Sequence, residues 1–467
     1  MPNIERYENL VIGSGGAGKL TAWSLGAAGR QTALVERGAL GGACPNVACL
    51  PSKNIIYSAR VISLAKRGAE FGLETEGLHV NMAAVQHRKR LMVEGLHQMH
   101  VDRTKASGAE LIMGSARFIA PRTVEIDLNS GGKRTIAGDR VFLDLGTRAA
   151  IPPVQGLAQA KPMTHVEALN LERLPEHLIV MGGGYVGLEL AQAIRRIGAK
   201  VTVIEAGPQL AGHEDADVGA ELNDLFTSEG IEVVLGTEVR KVEGRSGERV
   251  KIETTDGPGQ RTIEGTDILV ATGRLANTEG IGLDLAGIEL GEHGFIKVND
   301  RLETTSEKTW AMGDCAGSPM FTHVSENDFG IVYGNLNGAD RSTRNRLIPF
   351  CMFTDPELAR VGRNENEARR DGIEYRVAKM PMANILRTRT ISEPRGFIKM
   401  LIAKNSDEIL GFTAFGFEAS ELMVAVQTAM AGRLPFTILR DAIFTHPTMS
   451  EGLNFLLADV PSKEMPK

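Results

Sequence analysis

Asn9-Leu10-Val11-Ile12-Gly13-Ser14-Gly15-Gly16-Ala17-Gly18 decides the fold of this chain. Asn9 to Gly13 reads as a short buried strand, the glycines that follow make a tight turn, and a helix is predicted to about Ala28. Thr32-Ala33-Leu34-Val35-Glu36 then reads as a second strand ending on an acid. Strand, glycine turn, helix, strand and acid form a dinucleotide-binding arrangement. Its glycines let backbone approach a pyrophosphate at the helix N-terminus, and Glu36 can accept hydrogen bonds from a ribose diol.

The unit recurs. Leu178-Ile179-Val180-Met181 leads into Gly182-Gly183-Gly184-Tyr185-Val186-Gly187, a helix is predicted through Arg196, and Val201-Thr202-Val203-Ile204-Glu205 closes the repeat. The acid stands at the same distance from the first glycine in both copies, position 36 after 13 and 205 after 182. One such fingerprint is weak evidence. Two with matched spacing imply two nucleotide-bearing cofactors.

At 467 residues the chain has material for roughly three domains of ordinary size. Helical periodicity dominates Asn54 to Ala106, and strand-like pieces then run to Val141-Phe142-Leu143-Asp144-Leu145-Gly146-Thr147. Pro152-Pro153 and Gly156 mark an exit from the first domain. Ile268-Leu269-Val270-Ala271-Thr272-Gly273-Arg274 closes an inserted second unit, and Trp310 to Gly317 reads as a buried strand entering a glycine turn. From about Ile348 onward strands and helices alternate, as in Gly396 to Ala403 and Ala419 to Ala431, and read as a separate α+β domain.

A net charge of −6 gives no reason to expect a nucleic-acid partner. Four cysteines in so long a chain are not a secreted disulfide framework, and Met1-Pro2-Asn3-Ile4-Glu5-Arg6 does not read as a signal-peptide start. The expectation is a cytoplasmic protein without membrane association, since no run has the apolar length of a spanning helix.

Two of the four cysteines fall in Gly41-Gly42-Ala43-Cys44-Pro45-Asn46-Val47-Ala48-Cys49-Leu50-Pro51-Ser52-Lys53. A short loop or one helical turn between them could bring the sulfurs near bonding distance. A metal clip or two unrelated buried thiols are the alternatives. No second Cys or His cluster supplies the further ligands of a zinc site, so no metal is expected. Cys315, in a turn, and Cys351, beside Phe350 and Met352, read as buried packing residues.

Taken together, these stretches resemble the two-cysteine flavoprotein disulfide reductases, the class I pyridine nucleotide-disulfide oxidoreductase family of glutathione reductase, dihydrolipoamide dehydrogenase and mercuric reductase. Further matches are Gly182 to Glu189, Ala271 to Arg274, Gly313-Asp314, Phe353-Thr354-Asp355-Pro356-Glu357 and His446-Pro447-Thr448-Met449-Ser450-Glu451. The resemblance implies an α/β enzyme with two Rossmann-like dinucleotide-binding domains and a C-terminal α+β dimerisation domain. Residues 1–150 and 271–345 would bind FAD and include a central segment, 151–270 would bind NAD(P), and 346–467 would form a homodimer.

Roles follow from the same resemblance. Gly13, Gly15, Gly18, Glu36, Gly146 and Asp314 would hold FAD, and Gly182, Gly184, Tyr185, Gly187, Glu205 and Gly273 the nicotinamide nucleotide. Cys49 would be the flavin-proximal sulfur and Cys44 the one exchanging with substrate, with His446 and Glu451 serving the partner subunit's site. Lys53 and Glu189 would pair beside the flavin. Tyr185 could be a movable lid, as its counterpart is in glutathione reductases, or packing. Glu205 hydrogen-bonds a 2′-hydroxyl and repels a 2′-phosphate, and Ala206-Gly207-Pro208 offers no arginine, so NADH is expected over NADPH.

The implied function is an NADH-preferring dithiol/disulfide oxidoreductase closest to dihydrolipoamide dehydrogenase, acting on a small thiol/disulfide or a lipoyl protein. The alternatives are a mercuric-reductase-like metal-ion reductase lacking the C-terminal cysteine pair, and a flavin-bearing interaction subunit of a larger complex. Pro45, Ala48 and Asp144 depart from the family pattern.

Overall fold

The computed structural model describes residues 4–74, 77–256 and 259–463. Residues 1–3 and 464–467, on which the readings of the two termini rest, lie outside them.

The first glycine unit folds as its pattern predicts: strand Ile4–Ile12, helix Gly16–Ala27, strand Thr32–Glu36. A parallel sheet places Ile4–Ile12 between Thr32–Glu36 and Lys133–Leu143, with Glu110–Ala120 and Thr309–Ala311 outside them. Thr123–Leu128 runs antiparallel between Glu110–Ala120 and Lys133–Leu143. Thr309–Ala311 joins this sheet after the whole second glycine unit has intervened, so the first nucleotide unit is closed by a distant segment. Leu10, Val11, Leu34 and Phe142 are fully buried, each worth about 1.5–3 kcal/mol over leaving it in water.

The second unit repeats the design in a four-stranded parallel sheet, ordered Asp267–Val270, His177–Met181, Lys200–Ile204, Glu232–Val234. Beside it Glu238–Arg245, Arg249–Asp256 and Gly259–Gly265 form a three-stranded antiparallel sheet. The C-terminal domain is a five-stranded antiparallel sheet, ordered Pro349–Met352, Glu357–Gly362, Ile409–Gly416, Phe397–Ala403, Tyr375–Pro381, with helix Ala419–Ala431 over its centre.

Two long helices bridge these parts. Cys49–Lys66 starts at the second cysteine. Met82–Ser107 is capped by Asn81, whose side chain accepts from the Ala84 N–H at 3.1 Å, and it stops at Gly108 with φ +79°. Ile55 and Ala59 of the cysteine helix share one apolar cluster with Leu188 and Ala191 of helix Tyr185–Ile197 and with Met352 and Phe415 of the C-terminal sheet. That shared core fixes the cysteines relative to both other sheets.

Candidate active site

The two glycine turns are built alike. Gly13 and Gly182 have φ of +92° and +107°, and a Cβ at either would overlap a backbone carbonyl of the neighbouring strand end, that of Asp144 or of Ala271. Glu36 accepts from the Ser14 N–H (2.9 Å) and hydroxyl (2.6 Å) on one oxygen and from the Gly38 N–H (2.7 Å) on the other. Glu205 accepts from the Gly183 N–H at 2.6 Å and the Gly207 N–H at 2.7 Å. Backbone donors thus fix each acid at the edge of its turn, with lone pairs left for a diol. Gly15 and Gly184 are the N-caps, and neither supplies a capping side chain of its own.

Asp144, left without an account by its sequence, proves to sit inside the first turn. It is buried, and its Oδ2 accepts from the Gly18 N–H at 2.7 Å. Ser325 takes the adjoining Ala17 N–H at 3.0 Å. Burial raises the Asp144 carboxyl to about 7; the Gly18 N–H and Lys19 oppose the shift, while Asp314 and Asp328 add to it. A carboxyl that titrates higher folded than unfolded stabilises fully below its unfolded value, and that contribution is lost as pH rises toward 7. Asp144→Asn, which keeps an acceptor for Gly18, should therefore gain stability relative to wild type as pH rises from about 4 to 7, by up to about 4 kcal/mol, and hold the gain above that. Thermal unfolding with FAD in excess from pH 5 to 8 measures it. A difference independent of pH would refute the burial argument.

The cysteine loop lies directly on the first turn. Gly42 has φ +76°, and a Cβ there would fall 2.6 Å from the Gly15 Cα. The chain then forms a short helix, Ala43–Val47, and the long helix that opens at Cys49. Pro45 is buried within the short helix, close to Gly41. Cys44 and Cys49 are both free thiols, set close enough that each alters the other's ionisation. Cys49 Sγ also lies 3.6 Å from Thr322 Oγ1.

This environment makes the two sulfurs unequal. The Cys44 thiol, Thr322 and the Lys53 charge together pull Cys49 down to about 6 against burial. Its place at a helix N-terminus acts in the same direction. Cys44 is pushed up by the proximity of Cys49, by burial and by the neighbouring thiolate charge. Negative charge on the pair is therefore favoured at Cys49 and the proton at Cys44.

Lys53 Nζ bonds Glu189 Oε2 at 2.7 Å, and Glu189 Oε1 accepts from the Phe353 N–H at 2.8 Å. The ammonium also lies 4.8 Å from the centroid of the Phe353 ring. One ion pair thus joins the cysteine helix, the second nucleotide helix and the C-terminal sheet's entry segment. Nearby, Asp314 accepts from the Thr147 hydroxyl at 2.6 Å, and Thr147 accepts from Arg274 Nε at 2.7 Å. Gly146 and Gly273 flank this chain, and no atom within 4 Å faces either one's missing side chain. Tyr185, first residue of its helix, donates its hydroxyl to Glu214 at 2.8 Å.

His446 and Glu451 pair through Nδ1 and Oε2 at 2.8 Å, with the ring 63% exposed and the carboxylate buried. Within the chain the ring makes no hydrogen bond to either cysteine among the described residues. On the same domain Val424, Ile438 and Phe455 are exposed, and Ile443 fully so. Cys315 is buried and accepts from the Leu145 N–H at 3.3 Å, and burial pushes its thiol up to about 12. Cys351 is only partly buried, packed on the C-terminal core.

Two neighbours have no sequence signal: Thr322 and Ser325, on helix Thr322–Leu336, lie in no motif, and only the fold brings them to Cys49 and to the first glycine turn. Among the described residues no group of His, Cys, Asp and Glu has the arrangement of a metal site, and no helix is long and apolar enough to cross a membrane.

Residues 7–328 match the pyridine nucleotide-disulphide oxidoreductase family, and residues 348–456 its dimerisation domain. The chain belongs to the pyridine nucleotide-disulphide oxidoreductase family. It is 31% identical over 461 residues to the probable pyridine nucleotide-disulfide oxidoreductase RclA of Escherichia coli, covering 97% of this chain and 99% of that protein. It is 34% identical over 447 residues to the mercuric reductase of Shigella flexneri, covering 95% and 79%. Among solved structures, the Cu(II) complex of the HOCl-induced flavoprotein disulfide reductase RclA from E. coli matches with a TM-score of 0.88 and 30% identity, covering 97% of this chain and 99% of that one.

The oxidoreductase is therefore an FAD-dependent enzyme that uses a nicotinamide nucleotide, and it carries a dimerisation domain. The glycine turns at the two helix N-termini and the two fixed acids fit these dinucleotides.

Proposed function

We propose that this oxidoreductase is an NADH-preferring dithiol/disulfide reductase acting through Cys44 and Cys49 on a small disulfide or a lipoyl group. Residues 1–150 and 271–345 would hold FAD, residues 151–270 NADH, and residues 346–467 the second copy. Within them Gly13, Gly15, Gly18, Glu36, Gly146 and Asp314 would contact FAD, and Gly182, Gly184, Tyr185, Gly187, Glu205 and Gly273 the nicotinamide nucleotide. When bound, FAD supplies a two-electron relay from NADH to the cysteine pair.

The observation that carries the reading is the inequality of the two sulfurs. Thr322 at 3.6 Å and the Lys53 charge favour the thiolate at Cys49 and leave the proton favoured at Cys44, so Cys44 needs a base before it can attack. His446, held by Glu451 in the tautomer with a free Nε2, suits that task. In the chemistry proposed, Cys44 attacks the substrate disulfide and one thiolate leaves, protonated by His446. Cys49 then attacks the Cys44 sulfur of the mixed disulfide, closing the Cys44–Cys49 bond and releasing the second thiolate, which takes its proton from solvent. Lys53, fixed by Glu189, places positive charge beside Cys49 throughout.

Glu205 supports NADH. Both its oxygens are held in place by backbone donors, and a 2′-phosphate would meet a fixed anion. A second reading, reduction of a metal ion, is favoured by the relatives named mercuric reductase and by the relative solved as a Cu(II) complex.

Anaerobic turnover with glutathione disulfide, lipoamide, Hg(II) and Cu(II), each with NADH and with NADPH, separates the two. The expected result is disulfide or lipoamide turnover with NADH favoured about tenfold or more, since one repelled phosphate is worth at least 1.4 kcal/mol. Turnover with the metal ions alone would replace the first reading by the second.

A further inference from the structure

Glu214 lies between Tyr185 and Arg360, and its bonding is incomplete in a specific way. It is almost wholly buried, and one oxygen accepts from the Tyr185 hydroxyl at 2.8 Å. The other, Oε2, stands 3.0 Å from Arg360 Nε in an ion pair. Yet neither Glu214 Oε2 nor Arg360 Nε has a hydrogen bond, because the two are close without being aligned. A buried acceptor and a buried donor left unsatisfied side by side are costly.

The frame around this carboxylate is rigid. Gln209 donates to the Glu214 carbonyl at 3.0 Å, and Asp215 accepts from the backbone of Glu365 and Asn366 at 3.0 and 2.9 Å. Lys399, fully buried in strand Phe397–Ala403, bonds Asp215 at 2.7 Å. Arg360 is held on its far side by Glu367 at 2.9 Å, by the Gly362 carbonyl at 3.0 Å and against the Phe350 ring at 4.6 Å. The Glu214 side chain is thus the adjustable piece of a bolted assembly that ties the second nucleotide unit to the C-terminal sheet.

We propose that Glu214 is a two-position latch for Tyr185: it bonds the phenol when the ring covers the nicotinamide site, and realigns onto Arg360 Nε when the ring moves aside. The bond lost on opening is then replaced by one that the closed form leaves unmade. Arg360, on the dimerisation domain, becomes a positioning residue for nicotinamide entry, through Glu214 and without touching the nucleotide. The proposal rests on the reading of Tyr185 as a residue of the nicotinamide site.

The test is rapid anaerobic mixing of the oxidised holoenzyme with NADH, following loss of flavin absorbance. Tyr185→Phe removes the phenol bond of the closed state and lets the carboxylate align with Arg360 there as well, so it should lower the half-saturating NADH concentration by at most about threefold. Arg360→Lys and Glu214→Gln weaken the open-state bond and should raise that concentration by a similar factor. In a Tyr185→Phe background the Arg360→Lys effect should vanish, because the carboxylate is then free to align with Arg360 in both positions.

Additive effects, or Arg360→Lys and Glu214→Gln indistinguishable from wild type, would overturn the latch. Tyr185→Gly keeps the two ideas separate. If it shifts NADH saturation while the other variants do not, the lid stands and the latch falls. If it shifts nothing, the placement of Tyr185 itself is wrong. Glu214→Gln carries the test alone should Arg360→Lys fail to fold.

Discussion

Cys44→Ser should lower disulfide turnover at least about a thousandfold, the scale expected when a nucleophile is removed, while leaving the enzyme able to accept electrons from NADH. The two sulfurs predict different spectra. With Cys44 replaced, Cys49 keeps Thr322 at 3.6 Å and the nearby Lys53 charge, both of which favour its thiolate. A long-wavelength thiolate-to-flavin absorption band should therefore persist in Cys44→Ser. It should be lost in Cys49→Ser, which removes the sulfur beside Thr322 and the Lys53 charge and leaves Cys44, whose burial favours the thiol. The reverse assignment of the band would exchange the roles of the two residues and undo the proposed order of attack.

His446→Ala should lower disulfide turnover about a hundredfold or more, the range for losing a general acid-base group. Mixed dimers show where the histidine acts. Dimers joining one Cys44→Ser chain with one His446→Ala chain, isolated by two affinity tags, contain one site with both lesions and one intact site if His446 serves its partner. About half of wild-type activity is then expected, since one of two independent sites is whole. If His446 served its own chain, both sites would be damaged and activity would fall to that of the single variants. The exposed ring, its pairing with buried Glu451 and its lack of a bond to either cysteine in its own chain favour the first outcome. Glu451→Gln should follow His446→Ala in direction with a smaller loss, because it acts through the ring it orients.

The nucleotide turns were legible because their constraints are local. A strand, a backbone that must curl through positive φ, and a helix opening at a glycine leave a pattern within about thirty residues, the length of a βαβ unit. Its duplication at Gly13 and Gly182, with acids at matched positions, points to two dinucleotides before any contact is seen. The cysteine pair was equally plain, and the family's ordered motifs gave Lys53, Glu189, His446 and Glu451 their expected roles. The Lys53–Glu189 and His446–Glu451 pairs are both present in the structure.

The architecture could be read from the residues and the cysteine pair singled out, since hydrophobic period, glycine geometry and thiol spacing are properties of short stretches. The electrostatics needed the folded chain. Thr322 lies 273 positions from the cysteine it touches, and Asp144 is an unremarkable strand-end acid until it is found buried under the Gly18 N–H. Tyr185 reads as lid or packing until its hydroxyl is traced to Glu214, and Glu214 to an arginine of another domain. Charges act through space at distances set by the whole fold, so their partners, and the pKa values those partners impose, are not encoded by neighbours along the chain.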